Sequence, residues 1–429
     1  MLIQPIQKLE GSFSIPSDKS ISHRSVMFGS LAKGTTHISN FLMGDDCLST
    51  ISCFRKLGVP ITIEGDQVIV EGKGLHGLTT PDSILDCGNS GTTVRLISGI
   101  LCGQDFSTTL TGDASIQKRP MKRIIKPLSE MGASLNAKED NFCPMTIHPH
   151  KLQGITYHSP VASAQVKSSI LLAGLYADGP TTVVEPAISR DHTERMLAAF
   201  GATLTREGTA VTIEPCKELY ATDIIVPGDI SSAAFFMVAG LITPGSELVI
   251  QNVGINPTRR GILDVLLAMG GDIICFNEKE VCGEPVCDMR VRYSKLHGTT
   301  VEGDIIPTLI DEIPAIAVAA LFAEGQTIIK DAAELRVKES DRIETLYTEL
   351  TKLGAHLTPK PDGMIIDGGY PLCGAVVESH HDHRIAMSLA IAACNATGES
   401  TLEHPECVSI SFPNFFELLQ THSEQKHYS

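Results

Sequence analysis

No C-x-x-C pair occurs among the 12 cysteines of this 429-residue chain. The nearest approach, Cys282 and Cys287, leaves four residues between them, which fits no strong zinc-binding spacing. Cysteines scattered through a chain this long read as buried, reduced thiols rather than as a disulfide framework or a metal centre. An apolar run of about 18 residues, the length a membrane-spanning helix needs, is also missing. The opening text MLIQPIQKLEGSF lacks the apolar core of a secretion signal, so a cytoplasmic location is expected. Positive charge is scarce: 34 Lys and Arg stand against 50 Asp and Glu, a net charge of −16. That balance argues against nucleic acid or an anionic membrane as a partner. No G-x-x-x-x-G-K-[ST] segment is present, so the turn at Gly91 is not a Walker loop.

What the chain does have is an ordinary globular composition, with 42% hydrophobic and 20% charged residues, and length enough for two or three domains. Internal repetition organises it. Leu-rich text closing on Gly and running into an alternating stretch appears at 54–63 (FRKLGVPITI), 128–137 (LSEMGASLNA), 197–206 (LAAFGATLTR), 266–275 (LLAMGGDIIC) and 350–359 (LTKLGAHLTP). Each copy reads as an amphipathic helix with a left-handed glycine cap, followed by a strand. The spacing of roughly 70–85 residues suits a subdomain better than a solenoid repeat.

A second motif recurs six times: a polar turn, a helix of Ala, Ser, Gly and Leu, then Gly and a Thr/Val strand. Its copies begin SDKSISHR, CGNSGTTVR, ASAQVKSS, GDISSAAFF, DEIPAIAV and HDHRIAMS. Such helices are apolar nearly all round and are expected to be buried, with only their N-terminal ends reaching the surface. Six copies suggest two domains of three, with a break near 224–233. The polar tail THSEQKHYS reads as a frayed end.

A helix N-terminus offers unpaired N–H groups and partial positive charge to an anion. The charged and polar residues of this acidic chain gather at those ends: Lys19, Ser20 and Arg24; Asn89 to Thr92 and Arg95; Ser163, Gln165 and Lys167; Asp311 and Glu312; Asp382, His383 and Arg384. Each group alone has a plain reading. Serines at helix starts are caps, with Ser17 or Asp18 capping the first helix. The mixed run ELRVKESDR (334–342) is a solvated face, and QKRPMKR (117–123) a surface loop. HHDHR is a poor metal motif, because adjacent histidines rarely point one way. The recurrence at one place in every copy favours a different reading: a floor of positive charge for a small, multiply anionic ligand.

The motifs SDKSISHR, DCGNSGTTVR, QKRPMKR, SAQVKS, LIDEIPAIAVAALFAEG, RVKESDR, DHRIAMS and SFPNFF closely resemble those of the 5-enolpyruvylshikimate-3-phosphate synthases, the 3-phosphoshikimate 1-carboxyvinyltransferases, over nearly the whole chain. The resemblance implies an α/β fold, an inside-out barrel of two similar domains. Each would hold three βαβαββ units whose buried helices aim their N-termini into an interdomain cleft. It puts residues 1–17 with 228–429 in one domain and 18–227 in the other. It implies a monomer with no metal or organic cofactor. The reaction it implies adds phosphoenolpyruvate to the 5-hydroxyl of shikimate 3-phosphate and then eliminates phosphate.

Carried over by position, Lys19, Ser20, Arg24, Ser163, the backbone of Ala164, Gln165, Arg190, Asp311 and Lys338 would hold shikimate 3-phosphate. Lys19, Gly91, Arg119, Gln165, Arg342 and Arg384 would hold phosphoenolpyruvate. Asp311 would take the 5-hydroxyl proton. Glu339 would protonate the enol carbon, with Lys19 the alternative donor, and His383 would orient its neighbours. Arginine suits these anions because its fork matches carboxylate and phosphate oxygens.

Two positions depart from the commoner pattern: Ala164 where many members have Ser, and Ile410 where many have Lys. These, with SAQVK, RDHTE, GDISS and NPTR, resemble the second, glyphosate-tolerant subclass, although Gly91 keeps the small residue of sensitive members. The sister enzyme acting on UDP-N-acetylglucosamine carries Lys-Asn at the Lys19–Ser20 position and a cysteine within the loop at 113–119, neither of which is present. A non-catalytic anion-binding repeat protein would be marked by loss of Asp311 and Glu339, and both are present.

Overall fold

A helix that is apolar on every side has no face to give to water. The computed structural model, which describes residues 1–281 and 283–425, shows how the chain meets that condition. Helices come in pairs: α1 (Lys19–Leu31) and α2 (Asp45–Lys56), α3 (Gly91–Leu101) and α4 (Lys122–Glu130), α5 (Ala164–Gly174) and α6 (His192–Ala199), α7 (Ile230–Ile242) and α8 (Gly261–Ala268), α9 (Ile313–Leu321) and α10 (Arg342–Lys352), α11 (His383–Cys394) and α12 (Phe415–Thr421). The odd-numbered helices are the Ala/Ser/Gly/Leu segments, and every residue of α7, α9 and α11 is buried. The even-numbered helices bury one face each. Five of them end at the repeated glycine, and Gly58, Gly132, Gly201, Gly270 and Gly354 have φ between 88° and 96°, a region closed to most side chains.

The chain divides into two compact units, the first of Met1–Pro16 with Pro227–Ser429 and the second of Ser17–Val226. Each has its own apolar core. Within a unit the repeat is β-α-β-α-β-β. In the second unit Leu85–Asp86 leads through α3 to Thr108–Thr111, with which it pairs in parallel. After α4 comes the hairpin Ser134–Lys138 and Phe142–His148, whose second strand pairs with Thr108–Thr111. Thr156–His158 to Ala210–Ile213 repeats this order around α5 and α6. In the first unit Thr300–Val301 to Gly363–Asp367 repeats it around α9 and α10.

The remaining three repeats show where the chain crosses. The strand before α7 is Ile6–Ser14, which pairs in parallel with Glu247–Gly254 and so ties the N-terminus to the first unit. The strands before α1 come from the far end of its unit, where Leu219–Tyr220 and Ile224–Ile225 run parallel to Ala32–Ser39. The sixth repeat pairs Val376–Glu378 with Ser400–Glu403, reaches α12 through a 3-10 turn, Pro405–Ile410, and has the single strand Ser423–Gln425 where the others have a hairpin.

The tail corrects an expectation: Ser423–Gln425 is not frayed but forms a strand against Ile6–Leu9, while 426–429 lie outside the described residues. Cys282 is also outside them, and among the described residues the other cysteines carry free thiols. Burial pushes Cys102 and Cys394 up to about 12, which keeps both protonated.

Close approach of two buried helices explains one glycine. A Cβ on Gly99 of α3 would lie 2.1 Å from the Ser169 carbonyl oxygen of α5. Gly99→Val is therefore expected to cost about 3 kcal/mol, read as a lower denaturation midpoint; an unchanged midpoint contradicts this packing.

Candidate active site

In the second unit the polar residues sit on the first turns of α1, α3 and α5. The Asp18 side chain accepts from Ile21 N at 2.8 Å and caps α1. Lys19 then pairs its ammonium with the Asp46 carboxylate, itself buried in the first turn of α2. One turn on, Arg24 donates Nε to Thr193 Oγ1 at 2.7 Å, Nη1 to the Ser20 carbonyl at 2.9 Å and Nη2 to Ser168 Oγ at 3.1 Å. That arginine ties α1 to α5 and α6. Ser20 is half-buried beside it.

Ser90 caps α3 by accepting from Thr93 N at 3.0 Å, so Gly91 opens the helix. A Cβ there would fall 2.8 Å from Arg119 Nη2 and 2.9 Å from Arg95 Nη1. Two guanidinium groups therefore lie against the start of α3. Gln165 joins this turn to α5, its Oε1 accepting from Arg95 Nη1 at 2.5 Å and its Nε2 donating to Thr92 Oγ1 at 3.2 Å. Ser163 caps α5, and its own N–H donates to Glu185 Oε1 at 3.1 Å. Ala164, next along, brings a backbone N–H that has no intrahelical acceptor. Arg190 stands half-buried just before α6. Lys167 is turned into the protein, with Nζ 3.1 Å from Glu185 Oε2 and 2.8 Å from Glu194 Oε1.

The first unit gathers its set around one arginine. Arg342 is the first residue of α10 and is 1% exposed. Its Nε donates to Asp382 Oδ2 at 2.8 Å, Nη1 to Asp311 Oδ1 at 3.3 Å, and Nη2 to Glu339 Oε2 at 2.7 Å. Burial alone would lower its pKa, but the Asp382, Glu339 and Asp311 carboxylates outweigh burial and raise it. Burial likewise opposes ionisation of Asp382, yet the Arg342 guanidinium holds that carboxyl below its ordinary value. Removing one partner of such a buried cluster typically costs about 3–5 kcal/mol. Lys338 Nζ is 3.3 Å from Asp311 Oδ1, so Asp311 faces two cations. Arg384 donates Nη1 to the Asp311 carbonyl at 3.2 Å. His383 is buried in the same first turn of α11.

Every predicted site residue thus lies at or beside the start of a helix, as a set of eight in α1, α3, α5 and the Arg119 turn, with Arg190 close to α6, and a set of five around α9, α10 and α11. Three of these cations, Lys19, Lys338 and Arg342, are matched to carboxylates. Sequence reasoning missed Asp46, Thr193 and Ser168, whose roles depend on packing between helices.

It also missed that the motifs NPTR and GDISS, and SAQVK and RDHTE, are in contact. Arg259 of NPTR donates Nη2 to Asp229 Oδ1 at 3.0 Å and to Ser231 Oγ at 2.5 Å, both in GDISS. Ser231 in turn bonds the buried Glu312 carboxylate. Lys167 of SAQVK pairs with Glu194 of RDHTE. Among the described residues, one group of His, Cys, Asp or Glu has a metal-like geometry, and it lies outside both sets, at His381, His404 and Glu406.

Residues 3–419 match the family model described as EPSP synthase (3-phosphoshikimate 1-carboxyvinyltransferase). The chain belongs to the EPSP synthase family. A 3-phosphoshikimate 1-carboxyvinyltransferase of Brevibacillus brevis is 55% identical over 418 residues, 97% of this chain and 98% of its own length. One from Bacillus cereus is 57% identical over 420 residues, again 97% of this chain and 98% of its own length. An EPSP synthase structure from Acinetobacter baumannii superposes with a TM-score of 0.87 at 48% identity, covering 99% of this chain and 98% of that one. The EPSP synthase fold thus agrees with the two-unit α/β architecture described above.

One titration links this site to stability. His23 is fully buried in α1, with Nδ1 2.7 Å from Thr50 Oγ1. Burial first, then Lys19 and Arg24, hold its pKa well below the ordinary histidine value of 6.5. The unfolded chain therefore takes up a proton that the folded chain refuses. Stability from this group is present above pH 6.5 and declines as pH falls below it, by at most about 1.4 kcal/mol per pH unit. His23→Gln should flatten that part of the stability–pH curve between pH 6.5 and 5; an unaltered slope would show that His23 titrates normally.

Proposed function

We propose that the carboxyvinyl transfer for which this family is named proceeds here through Asp311 as base, on phosphoenolpyruvate and 3-phosphoshikimate. The carrying observation is the Asp311 carboxylate, 3.3 Å from both Lys338 Nζ and Arg342 Nη1. Two adjacent cations favour its ionised form, the state a base needs. In the addition step the 5-hydroxyl oxygen bonds to C2 of phosphoenolpyruvate while its proton passes to Asp311, and C3 accepts a proton from Glu339 or Lys19. In the elimination step C3 returns its proton to that donor, the C2–O bond to phosphate breaks, and the leaving phosphate carries off the proton held by Asp311. Charge balances without any further reactant.

Lys19, Arg24, Ser163, Ala164, Gln165 and Arg190 would hold the phosphorylated acceptor. Arg119, Arg342 and Arg384 would hold the carboxylate and phosphate of phosphoenolpyruvate. We also assign the chain to the glyphosate-tolerant subclass. Supporting this are the four motifs themselves, which contact one another in pairs, NPTR with GDISS and SAQVK with RDHTE.

Asp311→Asn should lower kcat by about 10²–10⁴-fold while leaving 3-phosphoshikimate affinity within a few-fold, measured by phosphate release and calorimetry. Full turnover in that variant removes Asp311 as base. Gly91→Ala places a methyl against the Arg119 and Arg95 guanidinium ends, which must shift to admit it. The KM for phosphoenolpyruvate is then expected to rise roughly tenfold, about 1.4 kcal/mol, with kcat nearly kept. A fall in kcat at unchanged KM would contradict the binding role.

A further inference from the structure

On the surface of the first unit a second cluster sits one residue from Asp382. His381 closes the turn before α11, while His404 and Glu406 belong to the turn after the strand Ser400–Glu403. Their ligand atoms all lie within 4.8 Å of one another. His404 Nδ1 is 3.5 Å from Glu406 Oε1, close to the edge of about 3.4 Å in a tetrahedral site with bonds of about 2.1 Å. The His381 and His404 rings lie with centroids 4.3 Å apart and planes inclined at 39°. Adjacent histidines do part here, as the sequence argument held. His380 turns its Nε2 to Glu349 at 2.9 Å, and His381 finds its partner 23 residues further on.

The two turns are held in register by one buried serine. Ser379 Oγ donates to the His404 carbonyl at 2.9 Å and accepts from His381 N at 3.1 Å. Both histidines take left-handed backbone, φ 57° at His381 and 52° at His404, which is uncommon outside glycine. Their imidazoles are thus brought together from two anchored turns.

We infer that His381, His404 and Glu406 bind one divalent transition-metal ion of the zinc class. Two imidazole nitrogens and one carboxylate suit zinc and its neighbours and not magnesium or calcium, which prefer oxygen. The ion would bridge the turn before α11 to the turn after the strand Ser400–Glu403. It takes no part in the transfer chemistry, since the Asp382 carboxylate is engaged by Arg342.

The test is calorimetric titration of chelator-treated full-length protein with Zn²⁺. One tightest equivalent is expected in the unaltered protein. It should weaken by at least about tenfold in His381→Asn, His404→Asn and Glu406→Gln, and persist in His380→Gln. Asn tolerates the left-handed backbone, and Glu406 is so exposed that Glu406→Gln leaves folding untouched. Absence of saturable Zn²⁺ binding, equal binding of Mg²⁺, or a tightest equivalent indifferent to all three substitutions would overturn the assignment.

Discussion

A helix buried on all sides can offer polar chemistry only at its ends. In this chain that condition is imposed repeatedly, by α1, α3 and α5 in one unit and α7, α9 and α11 in the other. Apolar flanks of Ala, Leu and Ile fix each helix in a core, and the first turn becomes the place where charge can be carried. The strands and outer helices serve to cover those helices. Their glycine-capped ends and hairpins recur because the same covering problem is solved again in each repeat.

Carrying cations at a helix start is electrostatically awkward, since the helix dipole already places positive charge there. The structure answers with carboxylates. Asp46 meets Lys19, and Asp311, Glu339 and Asp382 enclose Arg342. Such pairs contribute little net stability, because desolvation consumes most of the attraction. Their value is positional: a guanidinium bonded on all sides cannot wander, and groups fixed before substrate arrives spend no free energy on reorganisation during reaction. Asp311 would have a double use, since the carboxylate that pairs with Arg342 is the one we propose as base.

Much of this was legible in the sequence, because it rests on local composition. The all-apolar helices, their polar starts and the closing glycines need only neighbours along the chain. What could not be read is what depends on distant contacts. The pairing of the strand Ile6–Ser14 with Glu247–Gly254 spans more than 230 residues, and only the family resemblance, not the residues themselves, put 1–17 with 228–429. The sixth outer helix, α12, escaped the repeat pattern because it lacks the terminal Gly and the hairpin. Asp46 looked like one acid among 50, and only the packing of α2 on α1 makes it the partner of Lys19. The couplings of Arg259 with Asp229 and of Lys167 with Glu194 were visible as text but not as contacts.

The central claim is that paired charges at buried-helix starts serve one phosphorylated acceptor. Phosphate release from phosphoenolpyruvate should therefore be measured with 3-phosphoshikimate, with unphosphorylated shikimate and with UDP-N-acetylglucosamine under identical conditions. The account predicts turnover with 3-phosphoshikimate, a loss of specificity constant of at least about 10³-fold when the acceptor phosphate is removed, because several charge-assisted bonds disappear together, and no turnover with the nucleotide sugar. Equal rates with and without the acceptor phosphate, or turnover with the nucleotide sugar alone, would contradict it.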